Sequence, residues 1–191
     1  MKIAFIGGGN MGEAILSRVL ERKLSTRETV FVSDASEPRR QYLEKIYHVN
    51  TTDSNRSAAA VSEVILLAIK PQTLPQVMAE LKGQLKPSQL LLSIIAGASI
   101  DTLCHGLNHN SIVRAMPNTP AQIGEGITVW TATAEVSPKQ KEWAQTILGT
   151  IGQEIFVDDE KYLDMATAVS GSGPAYFFLF AETLADAAVS I

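Results

Sequence analysis

Met1-Lys2-Ile3-Ala4-Phe5-Ile6-Gly7-Gly8-Gly9-Asn10-Met11-Gly12-Glu13-Ala14-Ile15 opens the chain and decides how the rest of it is read. A β-branched and aromatic run, Ile3 to Ile6, meets three glycines, and a helical pattern starts at once. The stretch predicts a strand, a tight turn and a helix N-terminus, with Gly7, Gly9 and Gly12 at G-x-G-x-x-G spacing. Gly7 permits the turn, Gly9 lets backbone approach a pyrophosphate, and Gly12 lets helix pack close to strand. The unpaired N–H groups and positive dipole end of that helix then face phosphate. A lone glycine motif is a weak signal; its place between a predicted strand and a predicted helix gives it weight.

Outward from this turn, strands and helices alternate. Met11 to Leu24 carries an apolar stripe at Ile15, Leu16, Val19 and Leu20. Thr29 to Ser33 reads as a second strand, and Ser36 caps a helix with Leu43, Ile46 and Tyr47 inward. His48 to Thr51 is a short strand, and Asp53 or Ser54 caps a helix through Ala60. Val64 to Ile69 and Leu90 to Ala96 are continuous apolar runs, as expected of central parallel strands covered on both faces. A helix from Gln72 to about Leu85 lies between them, and Ser99 caps another to Leu107. Ser111 to Ala115 is a strand, followed by a rigid two-proline loop. Gly126 to Ala132 alternates like an edge strand, Ser137 opens a capping-box helix to Leu148, and Gln153 to Val157 closes the set. The expected fold is α/β: a Rossmann-type, doubly wound, mostly parallel sheet over residues 1–158.

The character changes after Asp158-Asp159-Glu160. Residues 159–191 read as the start of an all-helical domain, broken once at Ser170-Gly171-Ser172-Gly173-Pro174. The final helix, Ala175 to Ile191, is apolar on most faces, which predicts burial. So short a unit cannot bury it alone, and no C-cap is visible. The expectation is a truncated helical domain covered by further chain and a partner subunit.

Composition narrows the function classes. Of 191 residues, 46% are hydrophobic, enough for a packed core, and the net charge of −4 with no basic stripe argues against nucleic acid. Cys104 is the single cysteine, so no internal disulfide framework exists, which favours a reducing compartment. His105 and His109 beside it make a poor metal set, and no metal is expected. No apolar run has transmembrane length, and cytoplasm is the default expectation.

Ligands of doubly wound sheets sit at the carboxyl ends of strands. Three such ends are unusual here: Ala68-Ile69-Lys70-Pro71, Ser93-Ile94-Ile95-Ala96-Gly97 and Arg114-Ala115-Met116-Pro117-Asn118-Thr119-Pro120. Asp34, 22 residues past Gly12, stands where an acidic residue bonds a ribose 2′-hydroxyl, while Ser33, Ser36, Arg39 and Arg40 nearby suit a 2′-phosphate. The two readings oppose each other. No nucleophile constellation stands out, since Ser172 lies in G-S-G rather than G-x-S-x-G. The sequence supplies a cofactor platform and little acid–base equipment.

Four stretches together, Ile6 to Gly12, Ala68 to Pro71, Arg114 to Pro120 and Val169-Ser170-Gly171-Ser172-Gly173-Pro174-Ala175-Tyr176, resemble pyrroline-5-carboxylate reductase in order and spacing along the whole chain. The resemblance implies reduction of 1-pyrroline-5-carboxylate to L-proline, the last step of proline synthesis. It implies NADP(H) as the favoured cofactor, with NAD(H) as the alternative, and self-association through the C-terminal helices. By position, Ile6, Gly7, Gly8, Gly9, Asn10, Met11 and Gly12 would hold the pyrophosphate. Asp34 and Asn55 would meet the adenosine half, although relatives often carry a small polar residue in place of Asp34. Ala68, Ile69, Lys70, Pro71, Ile94, Ile95 and Ala96 would line the path toward nicotinamide, with Pro117 and Asn118 as an active-site wall. The family's substrate loop follows residue 191, so no catalytic residue is assigned. The rivals are another reductase of 6-phosphogluconate-dehydrogenase-like architecture and a non-enzymatic nucleotide sensor. The former often carries a Lys or Asp where this chain has Ser170 to Pro174.

Overall fold

The computed structural model describes residues 1–190. Eight strands form one sheet: β1 (Ile3–Ile6), β2 (Val30–Ser33), β3 (Asn50–Thr52), β4 (Val64–Leu67), β5 (Leu90–Ser93), β6 (Ile112–Met116), β7 (Gly126–Ala132) and β8 (Gly152–Phe156). Their order is β3-β2-β1-β4-β5-β6-β7-β8. The first six run parallel, β7 is antiparallel to β6, and β8 is parallel to β7. The 3-2-1-4-5-6 core is that of the Rossmann fold, with a crevice at the β1/β4 reversal.

The helices are α1 (Asn10–Glu21), α2 (Glu37–Tyr47), α3 (Asn55–Ala60), α4 (Leu74–Leu81), α5 (Ile100–Leu107), α6 (Pro138–Leu148), α7 (Lys161–Ala166) and α8 (Gly173–Ser190). Of these, α1, α2 and α6 cover one face of the sheet and α3, α4 and α5 the other. Strand side chains alternate between faces. Thus Val64 and Leu66 join a core with Ile15, Val19, Leu43 and Ile147, whereas Ile65 and Leu67 join one with Ala58, Val77, Leu81 and Leu103. The unbroken apolar run of β4 is the trace of those two cores. Serines close α2, α3, α5 and α6: Ser36, Ser54, Ser99 and Ser137 each accept from the third backbone N–H of their helix.

Several expectations are corrected. β4 and β5 stop at Leu67 and Ser93, because their neighbours stop there and the chain turns across the carboxyl edge. Ala68 N–H still donates to the Ile6 carbonyl at 2.9 Å, and Ile94 N–H to that of Leu67 at 3.1 Å. A short 3-10 turn, Pro71–Thr73, precedes α4, which ends at Leu81 rather than Leu85. Ser54, not Asp53, caps α3, and Ile46 is half exposed while Leu43 carries the inner face of α2. β7 is not an edge strand, because β8 takes that place. Its alternation arises because Gly126, Thr128 and Trp130 are buried whereas Ile127 and Val129 on the opposite face are only partly covered.

From Lys161 to Ser190 the chain is one unbroken helical rod. The expected break at Ser170–Pro174 is replaced by a π-helical turn, Thr167–Ser172, between α7 and α8. Every residue from Ala175 to Ser190 is exposed, including Tyr176, Phe177, Phe178 and Phe180, so nothing within the described chain buries α8.

Candidate functional site

The glycine turn is built by close packing. Gly7 has φ +97°, and a Cβ there would lie 2.7 Å from the Ala68 carbonyl oxygen. At Gly12 it would lie 2.5 Å from the Gly7 oxygen, so α1 can approach β1 only without a side chain. At Gly8 it would strike Leu43 Cδ1 at 2.5 Å. Gly9 differs: nothing stands within 4 Å of its absent Cβ. The open space lies over the start of α1, whose N-cap Gly9 offers no side chain to the first-turn N–H groups. An anionic group fits that space: room is kept for it, and donors are left for it.

Three polar partners brace the turn from behind. Gly7 N–H donates to the Ser33 carbonyl at 2.8 Å, and Gly8 N–H to Asp34 Oδ2 at 2.8 Å. Asp34 Oδ1 accepts from Ser36 N–H at 2.9 Å. Arg39 donates through Nε to the Gly8 carbonyl and pairs with Glu13 on α1. Arg40 donates to the carbonyls of Asp34, at 2.7 Å, and Ala35. Arg39 therefore holds the glycine turn and a carboxylate of α1, and Arg40 holds backbone of its own loop. Glu13 also accepts from Tyr47 at 2.8 Å and Tyr42 at 3.1 Å. Burial by itself would raise the Glu13 carboxyl. The hydrogen bonds from Tyr47, Arg39 and Tyr42, with the Arg39 charge, hold it below the ordinary carboxylate value. Burial and the bond to Glu13 push the Tyr47 phenol up to about 12. The cluster thus stays ionic and fixed through the neutral pH range.

Beside the turn lies a cavity of about 350 Å³ at the carboxyl edge of the sheet. That volume is within the usual range for small-molecule sites. It brings together Gly7, Gly9, Asp34, Asn55 and Ala68 to Lys70 from the sequence reading. It also contains Ser33, read in sequence beside the ribose 2′ position, and adds residues that reading missed: Asp53, Thr73, Gln76 and Glu80. Ser33 Oγ donates to Asn55 Oδ1 at 2.8 Å, and Asn55 Nδ2 to Glu80 Oε2 at 2.6 Å. Gln76 donates to the other Glu80 oxygen at 3.0 Å. Thr73, Gln76 and Glu80 fall at i, i+3 and i+7, one face of a helix, and that polar stripe was the legible signal.

Other predicted residues lie around the cavity. Ile6 is buried at the end of β1, and Asn10 is exposed at the start of α1. Met11 packs partly on the core. Pro71 opens the 3-10 turn before α4. Ile94 is half covered, Ile95 is in the core with 2% exposure, and Ala96 is exposed in a turn. Pro117 is buried, and Asn118 Oδ1 is fixed by Ile127 N–H at 2.9 Å. A larger cavity, about 790 Å³, lies at the amino ends of the strands around Lys2, Gln89 and Trp143. It is remote from the glycine turn and on the side that open α/β sheets do not use for ligands. Among the described residues no group of His, Cys, Asp and Glu could hold a metal ion, and no helix is long and apolar enough to cross a membrane.

Two family models match the chain. Residues 2–97 match the NADP oxidoreductase, coenzyme F420-dependent family, and residues 160–191 match pyrroline-5-carboxylate reductase dimerisation. The pyrroline-5-carboxylate reductase of Synechocystis is 43% identical over 99% of this chain and 70% of its own length. That of Haemophilus influenzae is 40% identical over 99% and 69%. Among solved structures, the reductase of Coxiella burnetii superposes with a TM-score of 0.89 at 34% identity, covering 100% of this chain and 71% of that one. The Plasmodium falciparum enzyme, solved with NADP bound, gives 0.85 at 34% identity, covering 100% and 70%. Sequence match and fold agree from one end to the other, and the chain belongs to the pyrroline-5-carboxylate reductase family.

Proposed function

We propose that the glycine turn and the adjoining cavity hold the nicotinamide dinucleotide with which this oxidoreductase reduces 1-pyrroline-5-carboxylate to L-proline, the closing step of proline biosynthesis. The observation that carries the placement is the free space over Gly9 at an uncapped helix N-terminus. Gly7 to Gly12 with Ile6 shape the seat of the pyrophosphate, and α1 directs its first N–H groups there. Asp34 and Asn55 stand at the adenosine end, and Ala68 to Pro71 continue the wall. Ile94, Ala96, Pro117 and Asn118 close the reacting end, with Ile95 packed into the core behind them.

When bound, the reduced nicotinamide supplies a hydride to the C=N carbon of the cyclic imine. A protonated imine is already electrophilic, so the protein's part is to hold the two carbons in register and exclude water. The sparse acid–base equipment of residues 1–190 suits that demand. Residues 1–158 form the dinucleotide-binding domain and 159–191 the start of the helical one. The exposed apolar face of α8 supports self-association, and the reading places the reaction in the cytoplasm, where a lone thiol stays reduced.

The test mixes the protein with pyrroline-5-carboxylate and NADPH or NADH and follows reduced-nicotinamide absorbance, with binding measured separately. Nucleotide binding by the 191-residue chain is the expected result, with turnover below that of a longer chain carrying the family's substrate loop. Failure to bind either nucleotide would overturn the placement.

A further inference from the structure

Arg114 is the buried cation of this chain that the cofactor site does not use. Its residue exposure is 4%, and it lies in β6 between Ser93 of β5 and Thr131 of β7. The guanidinium points out of the sheet toward the helical rod. One amino group donates to Glu160 Oε1 at 2.6 Å and the other to Asp164 Oδ1 at 3.0 Å. Glu160 and Asp164 flank the first turn of α7, four residues apart on one helix face. The same Glu160 oxygen accepts from Ile100 N–H, the first amide of α5, at 2.8 Å. A single carboxylate therefore joins the start of α5, the middle of β6 and the start of α7.

A second contact lies about two turns on. At Gly171, in the π-helical turn, a Cβ would lie 3.3 Å from Met116 Cε. Met116 ends the strand that carries Arg114, immediately before Pro117 and Asn118. The rod therefore rests on β6 at two points, both next to the loop assigned to the reacting end of the site.

We infer that Arg114, with Glu160 and Asp164, is the positioning clamp that sets the angle at which the C-terminal helix leaves the dinucleotide-binding sheet. From Lys161 to Ser190 the rod is about 45 Å long at 1.5 Å per residue, so a tilt of about 10° at the clamp displaces its far end by about 8 Å. The fork geometry of an arginine fixes direction as well as distance, which a lysine at the same place would not. The clamp acts on the rod and leaves the glycine turn, on the far side of β4 and β5, untouched.

The test compares Arg114→Met, Glu160→Ala and Glu160→Gln by hydrogen exchange and by NADPH titration, neither of which needs turnover. Arg114→Met and Glu160→Ala are expected to lower amide protection at 161–172 at least tenfold, with protection in β1 and β4 retained and NADPH affinity within twofold of the parent. Glu160→Gln keeps an oxygen for both Ile100 and Arg114 and is expected to keep the parent's protection. Unchanged protection at 161–172 in Glu160→Ala overturns the clamp, and so does Gln failing as badly as Ala. Loss of NADPH affinity in step with loss of rod protection overturns the separation of the two sites. If Arg114→Met does not fold, the two Glu160 variants decide, because that carboxylate is partly exposed and lies outside the sheet. A parent that binds no NADPH at all fails the cofactor placement, while the exchange comparison still judges the clamp.

Discussion

At Gly9 the backbone has φ −66° and ψ −174°, a conformation open to any residue, and a Cβ there meets nothing within 4 Å. Gly9→Ala is therefore a strain-free change in the protein without ligand. Alanine is a poorer N-cap than glycine by roughly 0.5–1 kcal/mol. Against this, the loss of unfolded-chain freedom returns about 0.4–1 kcal/mol. The two offset, and for a chain of this size the melting temperature should move by no more than about 2–4 °C. The ligand sees a different surface. A methyl group over the first turn of α1 keeps an oxyanion from reaching those N–H groups, and charge-assisted hydrogen bonds are worth about 1.5–3 kcal/mol. That corresponds to roughly a 10- to 150-fold rise in Kd. The assay pairs fluorescence titration of NADPH with a thermal melt of the same sample. An unchanged Kd would show that the pyrophosphate does not sit over Gly9. A collapse of stability together with affinity would show that the space over Gly9 is not preformed.

Gly12→Ala acts in the opposite way: with a Cβ 2.5 Å from the Gly7 oxygen it should destabilise the fold by about 1–3 kcal/mol, read from the urea midpoint, and no change would contradict the close packing of α1. Asp34→Ser removes a carboxylate from the adenosine end and should move the NADPH-to-NADH ratio of kcat/KM toward NADPH; an unaltered ratio shows that Asp34 serves only the Gly8 and Ser36 amides. Burial lowers the His109 pKa below its ordinary value, so the unfolded chain takes up the proton first as pH falls. Stability should therefore decline below about pH 6.5 and flatten once the folded imidazole also protonates, with a slope of at most about 1.4 kcal/mol per pH unit. His109→Gln should remove that decline in urea titrations between pH 5 and 7.5. Phe177→Glu places a charge on the exposed apolar face of α8 and should shift sedimentation toward monomer without changing NADPH binding; an unchanged assembly would place the contact elsewhere.

The glycine turn and the parallel core were readable because each rests on local rules. Gly7, Gly9 and Gly12 keep their spacing whatever surrounds them, and the runs at 64–67 and 90–93 are apolar because helices cover both faces. What depends on long-range pairing was not readable. Arg39 and Arg40 look like phosphate ligands in sequence, yet Arg39 closes on Gly8 and Glu13 of the glycine turn and α1, and Arg40 on the carbonyls of Asp34 and Ala35. Ile95 lies in a motif that suggests cofactor contact, yet beyond the end of β5 its side chain packs into the core. Glu80 is ordinary in sequence, and it joins Ser33 through Asn55 only because β2 and α4 converge there. Alternation in β7 reports a face without a full helical layer, which a sequence does not distinguish from an edge.

The π-helical turn at Thr167–Ser172 sets a phase as well as a path. In an α-helix each residue advances the side-chain direction by about 100°. The wider turn takes up one surplus residue, so the side chains of α8 are rotated by about that angle from where a plain continuation of α7 would have placed them. A one-residue deletion anywhere in Thr167–Ser172 would restore a plain helix and swing the aromatic face, Phe177 and Phe180 included, to a different side of the rod. Variation in this family should therefore preserve the number of residues between Leu163 and Tyr176 more strictly than their identity, because a length change here turns a whole surface whereas a substitution alters one point on it.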